Sequence, residues 1–100
     1  MEMEKNMKAK MNKWSGWIRE TRPEKLIAQF EPLLIECGFN ICDTCGEFFK
    51  PFGFTFIFLL SESHFAIHTF PEENKTYIEL SSCVDIPFNR FVEKMNNHLI

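Results

Sequence analysis

The sequence predicts an α+β fold: a two-layer sandwich in which one antiparallel sheet carries two helices on one face. Three observations predict it. An amphipathic helical stretch lies near each end of the 100-residue chain. Between them run segments of strand-like composition, and turn residues separate these segments by connections too short for parallel crossovers. One hundred residues with 45% hydrophobic content and twelve Phe fit one globular domain with one core. The net charge of −3 gives no reason to expect a nucleic-acid partner.

The first thirteen residues, MEMEKNMKAKMNK, are basic and lack apolar periodicity, so 1–13 is expected to be a flexible tail and 14–100 the domain. Nothing in the chain reads as a signal peptide or a membrane span, which predicts a cytoplasmic protein with no membrane partner. Trp14–Glu20 is a candidate first strand. Thr21 and Glu24 then stand at capping-box spacing, with Pro23 suited to a first helical turn. Leu26, Ile27, Phe30, Leu33, Leu34 and Cys37 share one helical face, and Gly38 can end the helix. The predicted helix is Pro23–Cys37, with a kink expected at Pro32.

From Phe39 the period shortens. FNICDTCGEFF reads as a strand with a defect near Gly46, and KPFG as a turn. FTFIFLL, Phe54–Leu60, is apolar throughout and predicts a central strand covered on both sides. HFAIHTF alternates, PEEN turns, and KTYIELSSC alternates again. The final stretch from Asp85 carries Pro87 in its first turn and an apolar stripe of Phe88, Phe91, Val92, Met95 and Leu99. A single sheet with helices on one face leaves its other face bare, and the Phe-rich strands suggest that a second copy covers it.

The four cysteines are Cys37, Cys42, Cys45 and Cys83, and a cytoplasmic setting makes each by default a free thiol. CDTC has zinc-ligand spacing, but no second CxxC and no HxxxH completes a ligand set, so no metal is expected.

The stretch SESHFAIHTFPE, Ser61–Glu72, places two of the three histidines in a strand pattern just after the greasiest run. A hairpin turning near Glu73 would set Ser63 opposite Cys83 and His68 opposite Ile78. A hydroxyl, a thiol and an imidazole would then gather at one end of the sheet. Alternation puts Ser63 and His68 on opposite faces, so this gathering needs a turn or bulge at Glu62–Ser63. Each residue also has a plain role: turn serine, core histidine, buried thiol. A Ser/His/acid hydrolase is conceivable, but no G-x-S-x-G elbow is present.

These same residues resemble the small prokaryotic S-adenosylmethionine decarboxylase proenzymes. The family signature ESHxxIHTxPE, with a cysteine about ten residues on, reads here ESHFAIHTFPE, Glu62–Glu72, followed by ENKTYIELSSC ending at Cys83. Upstream, FFKPFGFTFIFLL is similar to another family segment, with Phe49, Pro51 and Gly53 in register. The resemblance is strongest from Gly38 to Cys83.

It implies a self-processing, pyruvoyl-dependent enzyme. Ser63 would attack the Glu62 carbonyl and convert the peptide to an ester. Elimination and hydrolysis would then leave chains 1–62 and 63–100, the second beginning with a pyruvoyl group made from Ser63. His68 would handle the processing proton, with Thr55 assisting where the family usually has Ser. The pyruvoyl ketone would form a Schiff base with the substrate amine and serve as electron sink as CO2 leaves. Cys83 would return the proton. Phe49 and Phe70 would hold the adenine or sulfonium, and Glu72 the ribose hydroxyls. The resemblance also implies a homodimer with sites at its interface, and a place in spermidine and polyamine synthesis.

Three departures bear on specificity. Phe70 stands where Trp is usual, Lys50–Pro51 where SP is usual, and NKWSGWIRE does not reproduce the family's acidic first-strand pattern. Alternatives are a pyruvoyl-dependent decarboxylase of ornithine or arginine, and a non-enzymatic paralogue that keeps the scaffold.

Overall fold

A computed structural model describes residues 10–97. The chain runs β1 (Asn12–Ile18), α1 (Pro23–Cys37), β2 (Ile41–Phe48), β3 (Phe54–Leu60), β4 (Ser63–Phe70), a 3-10 turn (Pro71–Glu73), β5 (Lys75–Ser82) and α2 (Asp85–Asn96). All four strand pairs are antiparallel, in the order β1-β5-β4-β3-β2. This is the predicted α+β sandwich. Most of the expected tail, together with Leu99 of the expected stripe, lies outside the described residues. The tail boundary moves, because Asn12 and Lys13 already pair with Ser82 and Ser81 in β1.

Helix α1 has the predicted bounds, for the predicted reasons at its far end. Gly38 takes φ +108, and its N–H bonds back to the helix's last carbonyls. That left-handed conformation is open to glycine at little cost. The start is built otherwise. Thr21 is not the cap: Arg22 is, without a side-chain cap bond. Instead the Glu20 carboxylate accepts the Thr21 and Arg22 N–H groups, both at 3.0 Å, and the Arg22 guanidinium at 2.7 and 2.9 Å. These bonds, the Arg22 side chain's first, hold the Glu20 carboxyl down to about 2. Pro32 sits inside a helix that continues unbroken to Cys37.

Leu26, Phe30, Leu34 and Cys37 of α1 and Phe91 and Met95 of α2 bury themselves against Phe58, Phe65, Ile67, Ile78 and Leu80 of the sheet. Phe65 is the hub, with ring centroids 4.9 Å from Phe30 and 5.4 Å from Phe91. Rings packed at these distances and angles make the helix-to-sheet layer the core.

Two expectations for β2 and β3 need correction. The irregularity in β2 falls at Cys42, between Ile41 and Asp43, and not at Gly46. Gly46 is regularly paired with Phe56, whose ring lies so close that an added Cβ would meet it at 2.7 Å. Glycine is there to make room for the ring. Strand β3 is not central, since β4 holds the middle of the sheet. Nor is β3 covered on both sides within one chain. Phe58 and Leu60 are buried under the helices, but Ile57 and Leu59 on the other face are 39% and 52% exposed. With Trp17 at 50% and Phe70 at 37%, they make that face apolar and open.

Candidate functional site

The hairpin joining β3 and β4 is as tight as a hairpin can be. Leu60 pairs with Ser63, leaving only Ser61 and Glu62 in the turn. Glu62 takes φ +58, a left-handed conformation uncommon for a residue with a side chain. The turn is fastened from outside, as Ser61 N–H donates to Asn40 O at 3.1 Å. The Asn40 amide also donates to Ser61 Oγ at 3.1 Å.

The β4–β5 register differs by one residue from the predicted one. Ser63 pairs with Ser82 and His68 with Tyr77. The cause is the connection: Pro71–Glu73 form a 3-10 turn and Asn74 takes φ +54, so the reversal is not centred on Glu73. Cys83 therefore lies just beyond β5. It continues the register opposite Glu62, whose carbonyl accepts both its N–H, at 3.3 Å, and its thiol, at 3.1 Å. Ser63 is buried on the helix side of the sheet, and its hydroxyl donates to Ser82 Oγ at 2.7 Å.

His68 is not part of this group. β4 runs from Ser63 to Phe70 in continuous register with both neighbours, so no bulge brings His68 back. Five residues of extended strand separate the two by about 17 Å, on opposite faces. The expected gathering of hydroxyl, thiol and imidazole at one end thus holds for Ser63 and Cys83 and fails for His68.

His68 anchors a second group at the other end of the sheet. Thr55 pairs with it across β3–β4, and Thr55 Oγ1 and His68 Nδ1 share a hydrogen bond of 3.0 Å. The His68 ring stacks on Tyr77 at 6.2 Å between centroids. A cleft of about 260 Å³ opens beside them, lined by Phe49, Thr55, His68, Phe70 and Glu72 among others. Every residue expected to bind substrate is here. Sequence reading gave no site role to Trp17 and Tyr77, which extend this aromatic surface. Trp17 lies 5.8 Å from Phe70 and 5.2 Å from Tyr77. Their signal was positional, because both occupy open-face positions in adjacent strands.

The described residues contain no group of three or more His, Cys, Asp or Glu side chains arranged to hold a metal ion. None of their helices is long and apolar enough to cross a membrane.

The class is an α+β sandwich whose tight β3–β4 hairpin sets a buried serine directly after a peptide carbonyl that carries two donors. Comparison with known proteins narrows it. A family model described as S-adenosylmethionine decarboxylase matches residues 20–100, and the chain belongs to that family. An S-adenosylmethionine decarboxylase proenzyme 2 of Bacillus cereus is 41% identical over 46 residues, 46% of this chain and 37% of that protein. A proenzyme of Thermosipho africanus is 31% identical over 62 residues, 62% of this chain and 48% of its own length. The chain thus matches less than half the length of these relatives. The crystal structure of the adenosylmethionine decarboxylase from Aquifex aeolicus superposes with a TM-score of 0.57 at 22% identity. That match covers 75% of this chain and 66% of the other, and it supports the fold.

Proposed function

We propose that this chain is a self-processing, pyruvoyl-dependent decarboxylase acting on S-adenosylmethionine, in the cytoplasm and for polyamine synthesis. The observation that carries the reading is the Glu62 carbonyl held by the Cys83 N–H and thiol beside the Ser63 hydroxyl. Two donors on a carbonyl polarise it and stabilise negative charge on its oxygen during attack. The family match favours S-adenosylmethionine over ornithine or arginine as substrate.

Cleavage between Glu62 and Ser63 leaves the fold intact on physical grounds. The first fragment carries β1, α1, β2 and β3, and the second carries β4, β5 and α2. β4 remains hydrogen-bonded to β3, and β5 to β1, so two full ladders join the fragments. When formed, the pyruvoyl group supplies an electrophilic carbonyl that accepts the electron pair released with CO2. Cys83 would hold and return a proton at that end of the sheet. Phe49 and Phe70 offer aromatic faces to a flat base or a sulfonium, and Glu72 offers a carboxylate to ribose hydroxyls.

Because Ser63 and His68 lie on opposite faces and about 17 Å apart, the reaction needs a second copy. The open face with Ile57, Leu59, Trp17 and Phe70 is the surface through which two sheets would stack. With the copies antiparallel, the Glu62–Ser63 turn and Cys83 at the rim of one sheet would meet the His68–Thr55 end of the other copy. That end would reach the scissile peptide around the end of the strand and not through the sheet. Each site then draws its processing turn from one chain and its imidazole and cleft from the other. The test of substrate is release of labelled CO2 from carboxyl-labelled S-adenosylmethionine by the processed protein. Release from ornithine or arginine alone would overturn the substrate assignment.

A further inference from the structure

We propose that Ser82 is the positioning residue for self-cleavage, holding the Ser63 oxygen so that it faces the Glu62 carbonyl. The inference rests on the self-processing reading above and assigns a part of that process to a residue outside Ser63, His68 and Cys83.

Ser82 closes β5 on the helix side of the sheet, fully buried and directly opposite Ser63. Its own oxygen is fixed from the chain just beyond. It accepts the Val84 N–H at 3.1 Å, and its hydroxyl reaches Val84 O at 3.3 Å. On that fixed oxygen the Ser63 hydroxyl places its proton, at 2.7 Å. The direction matters. A serine oxygen that donates its one proton to Ser82 keeps its lone pairs turned away from Ser82 and available for attack. Meanwhile the next residue, Cys83, gives both its donors to the carbonyl to be attacked. Two consecutive residues thus divide the work: Ser82 orients the nucleophile and Cys83 polarises the electrophile.

Core packing alone does not call for this pair. The surroundings on the helix side are apolar, and two small apolar side chains at 63 and 82 would leave no polar group to satisfy. A buried hydroxyl that must be present at 63 needs a partner that is an acceptor, and Ser82 provides one with defined geometry. In the step itself, Ser63 Oγ bonds to the Glu62 carbonyl carbon and the Glu62–Ser63 C–N bond breaks. The hydroxyl proton ends on the freed Ser63 amine, giving an ester isomer of the peptide with no co-reactant. Ser82 acts on this step through the orientation of Ser63, and not on the later elimination.

The experiment follows self-cleavage of the full chain by intact mass for the wild type, Ser82→Ala and Ser82→Thr. The uncut material is then treated with neutral hydroxylamine, which cuts esters and spares peptides. Ser82→Ala should slow cutting by about ten- to a hundredfold, as expected for a lost hydrogen bond and a misplaced nucleophile. Its uncut chains should resist hydroxylamine, while Ser82→Thr should restore cutting. Ser82→Cys, similar in shape but a weak acceptor, replaces the alanine variant if that variant does not fold, with the same outcomes. Wild-type cutting with an unimpaired Ser82→Ala overturns the assignment, as does a hydroxylamine-sensitive ester accumulating in that variant. A wild-type chain that never cuts overturns the self-processing reading itself, and this inference with it.

Discussion

If each site combines the Ser63–Cys83 end of one chain with the His68 end of another, two inactive variants should repair each other. Ser63→Ala removes the nucleophile from one end of the sheet, and His68→Ala removes the imidazole from the other. Within one chain the two positions stand about 17 Å apart on opposite faces, too far for any side chain to bridge. Neither variant alone should cut. When the two are co-expressed in equal amounts, random pairing makes half of the dimers mixed. In each mixed dimer one site has lost both residues and the other retains both, so about a quarter of all sites are intact. The assay is intact mass of the co-purified mixture, with the variants distinguished by a terminal tag. Only chains bearing His68→Ala should be cut, because they carry the intact Ser63. Mixed dimers that form yet never cut would refute the shared site, and cutting by His68→Ala alone would remove His68 from processing.

Three further outcomes follow from the fold. Gly46→Ala places a methyl group against the Phe56 ring at 2.7 Å, and should cost about 1–3 kcal/mol as overpacking, read from urea unfolding. Glu20 has a folded carboxyl held down to about 2 from 4.5, so its contribution to stability is present above pH 4.5 and is lost as pH falls toward 2. Glu20→Gln should therefore flatten the acid limb of the stability profile in that window, by a small amount because its partner Arg22 is solvent-exposed and screened. Burial pushes the Cys37 thiol up, while Cys42 and Cys45 are exposed. Alkylation of native protein should label Cys42 and Cys45 first, Cys83 more slowly, and Cys37 only after unfolding.

Much of the fold was legible because local chemistry and tertiary packing agree. Pro23 and Gly38 bracket an amphipathic run, and the helix occupies that span. The alternating segments after Leu60 became β4 and β5 for the same reason. What was not legible depended on backbone conformation. A 3-10 turn with Asn74 at positive φ shifted the β4–β5 register by one residue, which moved Cys83 off the strand and onto the Glu62 carbonyl. Gly46 looked like a defect because the sequence does not show Phe56 lying across it. Ser82, in the plain run LSSC, carries no signal until pairing puts it opposite Ser63. The apolar Phe54–Leu60 run suggested two buried faces, but only the Phe58 and Leu60 face is buried, while Ile57 and Leu59 stay exposed, because hydrophobicity alone does not say whether one chain can cover both sides.

One bond is decisive, the peptide between Glu62 and Ser63. Its most direct test is the intact mass of the purified, fully incubated protein. Self-cleavage predicts two fragments, 1–62 and 63–100, co-purifying under native conditions and separating in denaturant, with the second lacking a free amino terminus. A single uncut chain persisting on long incubation, in a protein that is folded and dimeric, would contradict it.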